Sequence, residues 1–172
     1  MPMEAITTQR LHLRPFAPED LSDLAAILAD SEVMRYSLIE PKSLDDTRAL
    51  LGRILAAYEK EGFGLYAVIH LGEAKLIGYC GFSVRRIDGL RTIELGCGLA
   101  RPFWGMGLAT EATRACRDYG FEKLGFQRLV SIVDPENRGS IRVAEKLGMR
   151  FEKESEFHGA PLDIYGINRG GL

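Results

Sequence analysis

Cysteine is scarce in this chain of 172 residues, and Cys80, Cys97 and Cys116 show no CxxC spacing and sit in apolar surroundings. An odd, unspaced set excludes a disulfide framework and a zinc site, so three buried thiols and no metal are expected. Long apolar runs are missing too. No window approaches the roughly 20 apolar residues of a membrane span, and the opening MPMEAITTQRLHLRPF has no apolar stretch behind a charged lead. A cytoplasmic protein with no membrane partner is expected. Neither sign of charge dominates, since 22 Lys and Arg against 24 Asp and Glu leave a formal charge of -2. Without a basic field for a phosphate backbone, nucleic acid is not an expected partner. Two nucleotide signatures are also absent, because no GxxxxGK[ST] occurs and neither GMGLAT nor GCGLAR completes GxGxxG.

What is present suits one domain over residues 1–172, with 46% apolar residues to fill a core and no repeat, low-complexity tract or linker. QRLHLRPF alternates Leu11 and Leu13 with Arg10, His12 and Arg14, the period of a strand that ends at Pro15. APEDLSDLAAILAD opens with Pro18 and two acids and spaces Leu21, Leu24, Ala25 and Leu28 as a helix does. A short helical turn and a loop are expected in SEVMRYSLIEPK. Next, Ser43 with Asp46 forms a capping box ahead of Leu50, Leu51, Ile54, Leu55 and Tyr58, which predicts a second helix reaching about Gly62. GLYAVIHL, KLIGYCGFSV and RTIELGCGLA, parted by turns at Gly72-Glu73 and Asp88-Gly89, predict an antiparallel meander. A helix over about 108–124, a strand RLVSIVD, a short helix stopped by Gly148, and a hairpin of RFEKESEF and DIYGIN complete the chain. Strand, helix and strand in succession imply a right-handed crossover with the strands parallel. The class is α/β (α+β), with a mixed, mostly antiparallel twisted sheet of about seven strands and about four helices.

One stretch resists a purely structural account. PFWGMGLATEA places Gly105 and Gly107 immediately before the crossover helix, where a Ser, Thr, Asp or Asn cap would be usual. A helix N-terminus offers unpaired N–H groups and the positive end of the macrodipole, and glycines let a phosphate approach them. A tight strand-to-helix turn explains the same residues equally well. The strand upstream separates the two readings. In IELGCGLA, Ile93, Leu95, Cys97 and Leu99 point one way, and Glu94, Gly96, Gly98 and Ala100 the other. Glycine within a strand often marks a close approach, so one face is expected to be bare except for Glu94. A carboxylate at one end and a phosphate-binding turn at the other describe a site for an extended, phosphate-bearing cofactor.

These residues resemble the GCN5-related N-acetyltransferases, and within them the branch of bacterial ribosomal-protein N-terminal acetyltransferases. The turn motif [QR]-x-x-G-x-[GA] is matched by Trp104, Gly105, Met106, Gly107, Leu108 and Ala109, with Trp104 replacing Gln or Arg. NRGSIRVAEKLGM is similar to the branch's next helix, and the resemblance runs the whole chain. It implies acetyl-coenzyme A as co-substrate, with its pyrophosphate on the amides from Trp104 to Ala109 and its pantetheine arm between splayed strands 92–100 and 128–134. It also implies that the Leu99 amide polarises the acetyl carbonyl, that Asn137 binds the arm or a water, and that Ser140 lies near the sulfur. Glu94 is the candidate general base and Ser140 a candidate acid. As helix-capping residue types, Asn137 and Ser140 have an explanation without any ligand. Many relatives carry a tyrosine where this chain has Ala144, so that acid is lacking. Cys97 is expected to face the core, which disfavours a cysteine-acyl intermediate and favours direct attack by the amine.

The acceptor end is expected between the loop of about 34–41 and the turn FHGAPLD, where Arg35, Tyr36 and His158 are candidate substrate contacts beside Glu32 and Glu40. The expected acceptor is the α-amine of a protein or peptide; a small amine such as an amino acid, polyamine or antibiotic is the alternative. A non-catalytic acyl-coenzyme A sensor is the alternative of another class. A homodimer through an exposed edge of the closing hairpin is also expected.

Overall fold

A computed structural model describes residues 3–37 and 42–171. Strands β1 (Ile6–Thr7) and β2 (Leu11–Pro15) precede a 3-10 turn and helix α1 (Leu21–Leu28), and helix α2 spans Leu44–Glu61. The meander follows as β3 (Leu65–His70), β4 (Lys75–Ile87) and β5 (Leu90–Leu99). Helix α3 (Leu108–Glu122) crosses to β6 (Arg128–Val133), helix α4 (Arg138–Lys146) follows, and β7 (Arg150–Phe157) and β8 (Ala160–Asn168) close the chain. Among the described residues, eight strands join one sheet in the order β1-β2-β3-β4-β5-β6-β8-β7. The strand without a periodic signal is β1, whose two residues are too few to show one.

Local chemistry sets the boundaries. Ser43 Oγ accepts the Asp46 N–H while Asp46 Oδ2 accepts the Ser43 N–H, the reciprocal cap that starts α2. Gly62 ends that helix at φ 77°, a left-handed conformation natural to glycine. Asp88 and Gly89 both take positive φ, as a two-residue turn compatible with strand twist requires between β4 and β5. The first helix is shorter than its apolar spacing predicts, because Pro18–Asp20 wind as a 3-10 turn.

Two apolar layers sandwich the sheet. Phe16, Leu24, Ile27, Leu28, Leu51 and Ile54 gather where α1 and α2 pack, and Leu108, Ala112, Cys116, Phe121, Ala144 and Leu147 carry α3 and α4 into the other layer. The three cysteines are free thiols, Cys80 and Cys116 buried and Cys97 partly so. Strand β7 is the free edge next to β8, and its Arg150, Glu152, Lys153, Glu154 and Glu156 hinder indiscriminate strand pairing.

One partly buried ion pair fixes the first helix to the sheet. Both guanidinium Nη atoms of Arg14 reach the two carboxylate oxygens of Asp20 at 2.8 Å, and the Ala17 N–H also donates to Asp20. Burial pushes the Asp20 carboxyl up, but Arg14 and the Ala17 amide outweigh it and hold the group below the usual carboxylate range. A carboxyl lowered by folding contributes stability above its ordinary range, and loses it as the pH falls through the folded value. Asp20→Asn should therefore cost about 2 kcal/mol at neutral pH in urea unfolding. The deficit should begin to shrink below roughly pH 4, where the carboxyl of the unfolded chain takes up a proton, and should vanish only at the lower pH where the folded Asp20 carboxyl does so too.

Candidate active site

The site begins where two strands part. Parallel neighbours β5 and β6 share a single register pair, Glu94 with Val130, whereas β5 pairs with β4 over its whole length and β6 with β8 over all of its own. The Ala100 N–H donates to Ile77 C=O at 2.7 Å. By the alternation of an antiparallel ladder, the N–H groups of Cys97 and Leu99 then point away from β4, into the gap. Part of the inner edge is satisfied, since Ser131 Oγ donates to Leu95 C=O at 2.9 Å and Trp104 Nε1 to Leu99 C=O at 2.7 Å. What remains is a row of backbone donors suited to an extended chain that carries amides.

The glycine turn lies at the open end of that gap. Gly105 and Gly107 take φ of 72° and 77°, and a Cβ at Gly105 would meet nothing within 4 Å. Conformation alone therefore requires glycine at 105, so the tight-turn explanation holds there whether or not a phosphate binds. Gly107 caps α3 without any side-chain hydrogen bond. The N–H groups at the start of α3 thus keep their anion-binding capacity. Trp104, Gly105, Met106 and Gly107 are exposed, Leu108 is buried and Ala109 half-buried.

A polar clamp holds this turn. Glu111 accepts from Thr8 Oγ1 at 2.7 Å, from the Arg10 N–H at 2.9 Å and from Arg10 Nε at 2.7 Å, and Arg10 Nη1 donates to Met106 C=O at 2.8 Å. Burial raises the Glu111 carboxyl, but these bonds outweigh it and keep the group below its usual range.

Glu94 sits beside the parting strands with its side chain 15% exposed, and its Oε2 accepts from Arg85 Nε at 2.5 Å. The face it shares is less bare than glycine spacing suggests. Tyr79 lies directly opposite Gly98, and a Cβ on Gly98 would come within 2.6 Å of the Tyr79 ring and hydroxyl. Gly98 therefore makes room for a tyrosine of the neighbouring strand, which corrects the expectation of a face empty but for Glu94. Burial first, then nearby Cys97 and Glu94, pushes the Tyr79 phenol up to about 12, so it keeps its proton at neutral pH. Sequence reasoning missed this residue; the available signal was an aromatic at the strand position paired with a glycine.

At the start of α4, Asn137 Oδ1 accepts the Ser140 N–H at 3.1 Å, so Asn137 caps the helix. That bond leaves its amide nitrogen and the Ser140 hydroxyl without a protein partner among the described residues. Ala144 is buried in the core. Arg35 stacks its guanidinium 5.4 Å from the Tyr36 ring on the loop after α1, and His158 occupies the exposed turn between β7 and β8. Glu40 lies outside the described residues. Among the described residues, no hydrogen bond, ion pair or ring contact joins Arg35, Tyr36 or His158 to Glu94.

This arrangement defines an acyl-transfer fold, and comparison with known proteins agrees. The acetyltransferase (GNAT) domain family matches residues 10–150, so the chain belongs to that family and is an N-acetyltransferase. An uncharacterized protein of Bacillus subtilis (strain 168), YkkB, is 33% identical over 162 residues, covering 93% of each chain. An uncharacterized N-acetyltransferase of Bacillus licheniformis, p20, is 32% identical over 170 residues, with 95% and 94% covered. Among solved structures, an acetyltransferase from Agrobacterium tumefaciens str. C58 superposes with a TM-score of 0.84 at 28% identity, covering 98% and 96%.

The same substitution should have opposite signs at two glycines. Gly107→Ala forces a side chain into φ 77° and should cost about 1 kcal/mol. Gly52→Ala, inside α2 with nothing within 4 Å of the new Cβ, should gain about 0.5–1 kcal/mol. Urea midpoints of the two variants check both.

Proposed function

We propose that the protein moves an acetyl group from acetyl-coenzyme A to the α-amine of a protein or peptide by direct attack. The observation that carries the donor half of this reading is the gap between β5 and β6, which ends on the uncapped glycine turn. The two amides of a pantetheine arm suit the free N–H groups of Cys97 and Leu99, and its pyrophosphate suits the amides from Trp104 to Ala109. Bound there, acetyl-coenzyme A supplies an activated thioester.

The chain's own groups then have distinct tasks. At a strand rise of about 3.3 Å per residue, Leu99 lies roughly 17 Å along β5 from Glu94 and Cys97 roughly 10 Å. The Cys97 N–H is therefore the better-placed donor to a thioester carbonyl that an amine near Glu94 must reach, with Leu99 serving the arm; such preorganised donors stabilise developing negative charge. Glu94, through Oε1 and a water, takes the proton that the ammonium must lose. An α-amine, with a pKa near 7.7–8.0 against about 10.4 for lysine, gives it up more readily at neutral pH. Ser140 and Tyr79 are the two hydroxyls available to return a proton to the departing thiolate, and Asn137 offers its amide nitrogen to the arm.

Relatives carry both acceptor classes. A spermidine N(1)-acetyltransferase of Escherichia coli (strain K12) is 28% identical over 154 residues, and a ribosomal L7/L12 α-N-protein acetyltransferase in complex with coenzyme A shares the fold at a TM-score of 0.82 and 18% identity. The carboxylates of Glu94, Asp88 and Glu152 are each held by an arginine or lysine, which favours an α-amine over a polycation.

Glu94→Gln separates a transferase from a sensor. Thiol release from acetyl-coenzyme A in the presence of an alanyl peptide should fall at least 100-fold, with the cofactor Kd by calorimetry within about threefold of wild type. Undiminished turnover would remove Glu94 from the mechanism, and a wild type that binds the cofactor but acetylates no amine would leave the sensor.

A further inference from the structure

The Glu94 carboxylate is not presented to the acceptor alone. Arg85, on β4, gives it a single hydrogen bond through Nε, and among the described residues Nη1 and Nη2 make none. The guanidinium, with its side chain 46% exposed, borders a cleft of about 110 Å³ between the β4–β5 hairpin and the β7–β8 hairpin. Ile87, Ile132, Phe157, Leu162 and Ile164 supply the apolar part of that cleft. Val130, Leu162 and Ile164 are buried yet belong to neither of the two core layers, so they form a separate apolar floor on this side of the sheet.

Glu156 lines the same cleft, its carboxylate without a hydrogen bond or ion pair among the described residues, whereas the other charges in and beside it are spent. Lys153 pairs with Asp88 and Arg128 with Glu152, while Arg86 donates to Gly89 C=O. Arg85 therefore stands beside the proposed base with four N–H donors still to place, since a guanidinium carries five.

We propose that Arg85 is the specificity-determining residue for the acceptor, holding the carbonyl or carboxylate oxygen attached to the carbon that bears the reacting amine. An α-aminoacyl group presents a donor, its ammonium, next to an acceptor, its C=O. Glu94 and Arg85 present the complement, an acceptor next to donors, joined by their own hydrogen bond. The amine faces Glu94 Oε1, the acyl oxygen takes the Nη donors, and the first side chain enters the apolar cleft. A polyamine has no oxygen to offer the Nη donors of Arg85. Such a mismatch leaves charged donors unpaired, the kind of penalty that gives polar recognition its selectivity.

This inference rests on the transferase reading, and the experiment distinguishes their failures. Wild type, Arg85→Ala and Arg85→Lys are compared for kcat/KM with an alanyl peptide, with a propylamine-terminated analogue lacking the first carbonyl, and with spermidine, while calorimetry follows acetyl-coenzyme A. Wild type should prefer the alanyl peptide over both oxygen-free amines by at least 30-fold. Arg85→Ala should shrink that ratio at least tenfold, chiefly through KM for the peptide, and Arg85→Lys should recover only part of it. The cofactor Kd reports whether the donor site stays intact. An equal loss with all three acceptors would make Arg85 a support for Glu94 only and overturn the inference, as would a wild type that prefers spermidine. Cofactor binding without acetylation of any amine would overturn the transferase reading itself, and the inference with it.

Discussion

Strands β5 and β6 are held apart by their outer neighbours, and nearly everything of functional interest follows from that. Each has a full antiparallel partner, β4 for one and β8 for the other, while between themselves they meet only at Glu94 and Val130. Unpaired backbone donors inside a protein are costly unless water or a ligand takes them. In the proposed reading, the gap kept open by the sheet takes a ligand and recognises it mainly through backbone atoms. An apolar residue such as Leu99 is compatible with that reading, because its amide and not its side chain would make the contact.

The glycine turn and its clamp depend on the same parting. Helix α3 starts where β5 ends, and its uncapped N-terminus faces outward because Trp104 ties the turn back to Leu99 and Arg10 ties it to the N-terminal strands. Glu111 accepts the bonds that make Arg10 rigid. The turn is therefore rigid without a capping side chain, which leaves its amides free for an anion. On the other face, Tyr79 narrows the surface beside Gly98, and the Glu94–Arg85 pair closes the far end.

Much of this was legible from spacing alone. The capping box at Ser43, the turn at Asp88-Gly89, the parallel crossover and the place of Glu94 on β5 all depend on residues near one another in sequence, where periodicity and turn chemistry operate. The two-residue strand Ile6–Thr7 carried no such pattern. Contacts that needed the fold stayed hidden: Arg10 meets Glu111 across 101 positions, and Tyr79 reaches Gly98 only through strand register. The glycines at 98 and 105 were readable as signs of close approach, but the reason at one is a neighbouring ring and at the other a positive φ. Asn137 was readable both as cap and as ligand, and the cap is present.

The most direct test of the open gap is amide hydrogen exchange with and without coenzyme A. The account predicts slower exchange on binding at Cys97 and Leu99 and through the first turn of α3, Leu108 to Thr110, with little change in α2. A folded protein whose exchange at these amides is unaltered by saturating coenzyme A would contradict it.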